Sequence, residues 1–527
     1  MRVTLIQPPQ GSRFGFSKIL LVEPLGLECI AAALKLHDHE VNILDLRLDK
    51  ATSVYSELRS VQPGAVGISC SFTSDVYTAL NAAKMVRDAL PKATIFIGGH
   101  HASLIPGHFL FPGSPVDAVV IGEGEFTGLA LADALEQNEN PAEVPGVMTL
   151  SNWDNGFQTA QPPRNFDDLP LPDRQLTRGY RRHYHHGFAV PSACVETSRG
   201  CPFDCNFCSI WVFYQRRTRR RSPKRIVEDL IQAKTLGEDH VFFTDDIAFL
   251  QYDEYRELAN CILDAGLKMH FSCETRTDLV VKYQDLFPLW KEAGMNTIFL
   301  GVEKIDDAGL DSIRKRTKGG ADTNVKAIEI LRRCGITPIT TFLTDPSWDE
   351  QDFDRVEEFI TRLKLPNPSF TVLTPLPGTE LWEHMKSDVI TEDYSRFDIL
   401  HLVLPSKLAP QRFYQRFARL CSLTDVRTHF SWQAVWTLIK LALRGHGRVV
   451  LQVFRAMREL CNPSAYLGSP GKERKPDFIP DDFAAIPRLD KGMSHLVDRI
   501  LDTRTNEDKL EAKSQKQPEP KTEVRVY

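Results

Sequence analysis

Short β-branched runs alternate with helix-length segments twice along this 527-residue chain, and a stretch rich in Pro, Asn and Asp separates the two series. Parallel strands cannot be joined by tight turns, so each needs a crossover, and this alternation is the mark of a parallel sheet covered by helices. The first series, over residues 1–135, places strands at 3–7, 41–45, 65–69, 94–98 and 118–122, the pattern of a doubly wound, flavodoxin-like sheet. Residues 136–190 read as a linker with room for one hairpin, on the evidence of Gln161-Pro162-Pro163-Arg164 and of Asp168 to Asp173. The second series, over residues 191–385, places strands at 193–198, 240–244, 269–273, 297–301, 336–342 and 369–374. Six such β/α units make most of a barrel, whose chemistry belongs at the C-terminal strand ends. The fold class is therefore α/β: a Rossmann-like domain, then a partial (β/α)6 barrel, then a helical C-terminal region.

That last region, residues 386–470, carries two apolar stripes at helical spacing. Trp432, Val435, Trp436, Ile439 and Leu443 form one, and Val450, Val453, Phe454, Met457 and Leu460 the other. Both read as core faces, with an interfacial helix as the alternative. Residues 471–527 are rich in Pro, Lys and Glu and are predicted to be mostly disordered.

Charge and cysteine usage exclude several classes. A net charge of −5 gives no whole-chain attraction to nucleic acid. Eleven cysteines, an odd number scattered over a long chain, fit reduced thiols and a cytoplasmic location better than a disulfide framework. The opening MRVTLIQPPQ reads as strand and turn rather than as a signal peptide. The most apolar late stretch, 432–454, is broken by Lys440, Arg444, His446 and Arg448, so any contact with the inner face of a membrane would be peripheral.

Chemistry concentrates in the loop after the first barrel strand, Ser198-Arg199-Gly200-Cys201-Pro202-Phe203-Asp204-Cys205-Asn206-Phe207-Cys208-Ser209. Three thiolates hold three irons of a [4Fe-4S] cluster and leave the fourth open to a small ligand. A closed zinc site would need a fourth ligand, for which Cys194 is badly spaced, and a redox pair of Cys205 and Cys208 would have no use for Cys201. Polar residues recur at later strand ends: Asp245 and Asp246, Glu274 and Arg276, and Glu303. An ion-pair network on the same rim is the alternative for any one of them.

The Cys201-x3-Cys205-x2-Cys208 spacing, with Phe207 before the last cysteine, resembles the signature of radical S-adenosylmethionine (SAM) enzymes. That resemblance implies that the open iron chelates SAM, whose reductive cleavage gives a 5′-deoxyadenosyl radical, and that an electron donor such as flavodoxin or ferredoxin feeds the cluster. Phe207, Asp245, Glu274, Arg276 and Glu303 are the expected SAM contacts. In the first domain, Ser71-Phe72-Thr73, Gly98-Gly99-His100 and Gly122-Glu123-Gly124-Glu125 follow strands and resemble the ligand loops of cobalamin-binding domains. Ser71, Thr73, Gly98, Gly99, His100 and Glu123 are the expected cobalamin contacts. No histidine precedes His37, so the cobalt-ligating Asp-x-His-x-x-Gly loop of many such domains is missing and a His-off site is expected.

Domain order, Val22 to Leu27, Phe242 to Phe249, Glu274-Thr275-Arg276, Thr374 to Glu380 and Asp393 to Asp398 together resemble the hopanoid C-3 methylases of the cobalamin-dependent radical SAM superfamily. The resemblance implies methylation of an unactivated ring carbon in a hydrophobic triterpenoid, with methylcobalamin as the methyl source. A tetrapyrrole-type radical cyclase, and a sensor that binds cobalamin and a cluster without turnover, remain as alternatives. The basic run from Arg216 to Arg225 reads as a solvated loop, suited to anionic lipid headgroups, rather than as an RNA site.

Overall fold

The computed structural model describes residues 1–153, 157–365, 368–423, 432–468, 475–480 and 483. Two parallel sheets organise it. The first contains β1 (Arg2–Gln7), β2 (Glu40–Asp45), β3 (Ala65–Ser69), β4 (Thr94–Gly98), β5 (Ala118–Val120) and β6 (Val147–Met148), in the order β2-β1-β3-β4-β5-β6. Its first five strands are parallel, which is the flavodoxin order. The sixth pairs antiparallel with β5 and comes from the segment expected to be linker. Val3, Leu5, Ile6, Val66, Ile68, Ile95 and Ile97 are all buried, as strands covered on both faces require.

The second sheet runs β7 (Ser192–Val195), β8 (His240–Phe243), β9 (His270–Arg276), β10 (Met295–Glu303), β11 (Thr337–Thr344) and β12 (Ser369–Val372), all parallel and hydrogen-bonded in sequence order. The result is an open half-barrel. Strands β9 and β10 run further than expected because β9 pairs with β10 as far as Arg276–Gly301, and β10 with β11, after a register shift, as far as Glu303–Phe342. Glu274, Arg276 and Glu303 therefore sit on strand rather than loop. The first barrel strand, by contrast, stops early. Thr197 turns its N–H toward Asp245, and Ser198–Arg199 pairs antiparallel with Arg219–Arg220.

That pairing also corrects the reading of the basic run. Arg219 binds Glu123, Arg220 binds Glu254, and Arg221 is buried with its guanidinium over the Phe166 ring. Only part of the run, including Arg216 and Arg217, faces solvent.

Helices α1 (His100–Leu104) and α2 (Ile210–Phe213) pack together where the two domains meet, and α3 (Trp432–Leu441) and α4 (Gly447–Leu460) belong to the C-terminal region. Of the two apolar stripes, the second meets the core through Val453, while Phe454 touches Phe188. The first does not: Trp436 is 59% exposed and Leu443 is 81% exposed. Side chains of Trp432 and Val435, and most of the tail from residue 471, lie outside the described residues. Residues 386–409 hold only 3-10 turns, so the helical region begins at Pro410–Ser422. Among the described residues no helix is long and apolar enough to cross a membrane.

Buried charge joins the two domains. Glu23 accepts the Cys194 N–H at 2.5 Å and pairs with Arg181, which also reaches Glu28 at 3.2 Å and Glu238 at 2.6 Å. Burial alone would raise the Glu23 carboxyl, but Arg174 and Arg181 outweigh it and hold it below the ordinary range. Glu28, with burial and Glu23 against it, is pushed up to about 8. Removing one member of such a set strands the others in low dielectric, so the network fixes how first domain, linker and barrel meet.

Candidate active site

The cysteine loop hangs from the end of β7 and is braced from β8. Asp245 accepts from the N–H groups of Thr197 (2.7 Å) and Ser198 (2.9 Å), from the Thr197 hydroxyl and from Tyr255 Oη (2.9 Å). Asp246 accepts the Gly200 N–H at 2.7 Å. Gly200 is needed there: its φ is +90°, and a Cβ would lie 2.0 Å from the Arg217 carbonyl oxygen. Trp211 closes the loop by donating its indole N–H to the Cys205 carbonyl at 2.9 Å.

A cavity of about 400 Å³ opens at the C-terminal ends of the barrel strands. Cys201, Cys205, Cys208, Phe207, Asp245, Glu274, Arg276 and Glu303 all line it, so the structure brings every expected cluster and SAM residue to one space. They are not equally free. Asp245 spends its oxygens on the loop. Arg276 stacks on Phe203 at 3.9 Å, forks onto Asp278 (3.0 and 3.2 Å) and lies 4.0 Å from Cys205 Sγ. Glu303, held at a φ of +63°, pairs with Lys315 at 3.0 Å. Among the described residues nothing donates to the Glu274 carboxylate. Although open to the cavity it is ringed by protein, so burial and then Glu303 raise it above the ordinary range.

Lys315 and Phe203 are cavity residues that sequence reasoning missed. Lys315 also donates to the Gly301 carbonyl at 2.8 Å. It follows β10 within a run of Arg and Lys, where no pattern marks it out. Phe203 had a signal in its place between two of the cysteines.

The cysteines suit an iron-sulfur cluster. They ring one wall of the cavity, half-buried, and all eleven cysteines of the chain are unpaired. Burial pushes the Cys201 thiol up to about 11 and Cys208 higher still, so these sulfurs keep their protons until a bound cation takes their place.

The ligand edge of the first sheet meets this rim. Helix α1 packs on α2 through Leu104, Ile105, Trp211 and Val212, with Cys208 at the margin. Arg199, next to the cysteine loop, binds Glu123 (2.7 Å), Glu125 (2.6 Å) and Glu196 (2.8 Å). Of the expected cobalamin contacts, Ser71, Gly98 and Gly99 are half-exposed at the sheet edge, beside the 69%-exposed Phe72. Gly99 has a φ of +112°, and a Cβ there would lie 2.7 Å from the Cys70 carbonyl oxygen. An edge of bare backbone with an aromatic beside it suits a large planar ligand.

The other three are already engaged by protein. Thr73 is buried and shares a hydrogen bond with His101 at 3.1 Å, His100 packs at a tilt on Phe213 with ring centroids 4.2 Å apart, and Glu123 holds Arg199 and Arg219. Burial, then Arg199, pushes His100 down to about 4, so this imidazole is neutral.

Fold and site together define a cobalamin-dependent radical SAM enzyme. A profile of the Radical SAM superfamily matches residues 195–360, and one of the B12 binding domain matches residues 20–132. Hopanoid C-3 methylase of Methylococcus capsulatus is 36% identical over 451 residues, covering 85% of this chain and 84% of that protein. An uncharacterized methyltransferase of Pyrococcus horikoshii is 27% identical and covers 86% of this chain and 99% of its own. The solved structure of TsrM from Kitasatospora setae, a radical SAM methyltransferase with cobalamin and a [4Fe-4S] cluster bound, shares the fold. Its TM-score is 0.62 at 16% identity, over 81% of this chain and 90% of that one.

The chain belongs to the cobalamin-dependent radical SAM methyltransferase family. Its cofactors are a [4Fe-4S] cluster, SAM and cobalamin.

Proposed function

We propose that this enzyme methylates an unactivated carbon of a hydrophobic polycycle, C-3 of a hopanoid. The observation that carries the reading is the 36% identity to hopanoid C-3 methylase across most of both chains. The bound cluster with SAM supplies hydrogen abstraction from carbon, and cobalamin supplies the methyl group.

The chain's own residues position these groups. Cys201, Cys205 and Cys208 hold the cluster. Glu274 would receive the SAM ammonium, because its carboxylate faces the cavity without a partner among the described residues, and Arg276 and Phe207, which line the same cavity, would contact SAM. Asp245 and Asp246 act through the loop, keeping the cysteines where β7 delivers them. Ser71, Gly98 and Gly99 back the corrin. Phe203, Phe207, Phe242 and Phe299 give the cavity apolar walls that exclude water from a carbon radical. An electron donor of flavodoxin or ferredoxin type reduces the cluster, and the enzyme contacts a membrane peripherally.

Extraction of lipids from cells with and without the gene tests the substrate. A hopanoid heavier by one methylene is expected only with the gene. An unchanged hopanoid profile refutes the substrate and leaves the radical chemistry standing.

A further inference from the structure

A second cavity, of about 410 Å³, lies at the other end of the barrel and is lined by Arg178, Arg181, Arg182, Arg444 and His446. Pro191 in its wall immediately precedes β7, and Thr235 and Leu236 lead toward β8, so it opens at the N-terminal strand ends, away from the cysteine loop. Arg181 is already neutralised by Glu23, Glu28 and Glu238. The other arginines are not. Among the described residues no carboxylate lines this cavity, and none pairs with Arg178, Arg182 or Arg444. Arg182 instead lies 3.1 Å from the ring of His183. Burial, then Arg182, His446 and Arg448, hold that histidine below its ordinary range.

The same structural unit exposes apolar side chains. Trp436, Ile439 and Leu443 recur at three- and four-residue spacing along and just beyond α3, and are 59%, 41% and 81% exposed; Leu451 on α4 is 58% exposed. Lys440 and Arg444 lie on the adjoining strip of the helix surface and are exposed as well. Gly445, at a φ of +90°, breaks the helical geometry between α3 and α4, and its neighbours Arg444 and His446 line the cavity. Arg178, Arg182 and Arg444 are exposed, so a free anion could pair with them, but it would leave the apolar stripe in water. A surface offering both phosphate and hydrocarbon satisfies both.

We propose that this face docks the enzyme on an anionic phospholipid bilayer, with a lipid phosphate in the arginine cavity and Trp436, Ile439, Leu443 and Leu451 at the headgroup boundary. The inference deepens the membrane contact of the proposed function and rests on it, but not on the methyl transfer. Because this end of the barrel faces away from the cysteine loop, docking tethers the enzyme and does not form the doorway for substrate. It also relocates the lipid-facing charge from the Arg216 to Arg225 run, whose members are partly spent inside the protein.

Flotation of the full cofactor-loaded chain with vesicles tests the proposal. Phosphatidylcholine vesicles containing phosphatidylglycerol should carry the protein up, pure phosphatidylcholine vesicles should not, and high salt should release it. Arg178→Gln with Arg444→Gln should weaken binding by about 25-fold, from about five-fold per arginine near the surface. Trp436→Ser with Leu443→Ser should weaken it without removing the salt dependence. All variants should still cleave SAM to 5′-deoxyadenosine, which shows that they are folded and separates failure of docking from failure of the chemistry. Equal flotation on both vesicle types, or flotation indifferent to the arginine pair, would overturn the proposal. So would an absence of flotation, including the case in which inorganic phosphate stabilises the protein through the same arginines and marks a free-anion site.

Discussion

Replacing Arg199 by Met should damage the junction between the two cofactor domains in a way that depends on pH. Arg199 is 7% exposed, and its carboxylate partners Glu123, Glu125 and Glu196 are 11%, 6% and 17% exposed. Met keeps the apolar stem near the Phe166 ring, which the guanidinium covers at 4.9 Å, so the change removes charge more than volume. Glu123 retains Arg219, whereas Glu125 and Glu196 lose their cation. Breaking a buried pair by removing one partner costs about 3–5 kcal/mol, so a loss of this size is expected at about pH 8. The deficit should shrink on acidification. In the wild-type protein burial works to raise Glu125, but Arg199 holds it below the ordinary range, so its contribution is present above the unfolded pKa and fades as pH falls. In the variant only Arg221 and a backbone hydrogen bond still oppose burial, so Glu125 takes up a proton on folding, and between its unfolded and folded pKa such a carboxyl favours folding by about 1.4 kcal/mol per pH unit of decrease. The assay is urea unfolding of the full chain followed by tryptophan fluorescence, at several values between about pH 8 and about pH 5. A deficit under about 1 kcal/mol at the upper end, or one that does not change with pH, would refute the reasoning.

Three further outcomes are expected at the site. Cys205→Ala should leave the far-ultraviolet circular dichroism unchanged while the visible iron-sulfur absorption and SAM cleavage fall to background; retained cleavage would contradict the cluster assignment. Glu274→Gln should weaken SAM binding by about 10- to 150-fold, the worth of a charged hydrogen bond of about 1.5–3 kcal/mol, with the cluster spectrum intact by absorption. Gly99→Ala should cost about 1–3 kcal/mol and lower cobalamin retention after gel filtration, since a side chain at that φ meets the Cys70 carbonyl.

Much of this architecture was legible because parallel sheets announce themselves. Covered strands such as β3 and β4 are continuous apolar runs, and Ala65–Ser69 and Thr94–Gly98 stand where the sequence places them. The cysteine loop was legible for a similar reason, since cluster ligation needs residues at fixed short spacing. Contacts between distant segments were not. Nothing local in Gly122-Glu123-Gly124-Glu125 reveals that its carboxylates bind Arg199, 74 residues on from Glu125. Equally, nothing in Arg219 to Arg221 distinguishes arginines that fold inward from arginines that stay in water. The Trp436 stripe shows the converse limit. Helical periodicity identifies an apolar face but not whether the protein supplies a surface to cover it.

The central claim is that hydrogen abstraction at the cysteine loop and methyl donation from the first domain serve a single turnover. Quantifying 5′-deoxyadenosine and S-adenosylhomocysteine against methylated product, with the reconstituted enzyme, SAM and a hopanoid, tests it most directly. One equivalent of each nucleoside per methylated product is expected. Formation of 5′-deoxyadenosine with product but without S-adenosylhomocysteine would contradict it.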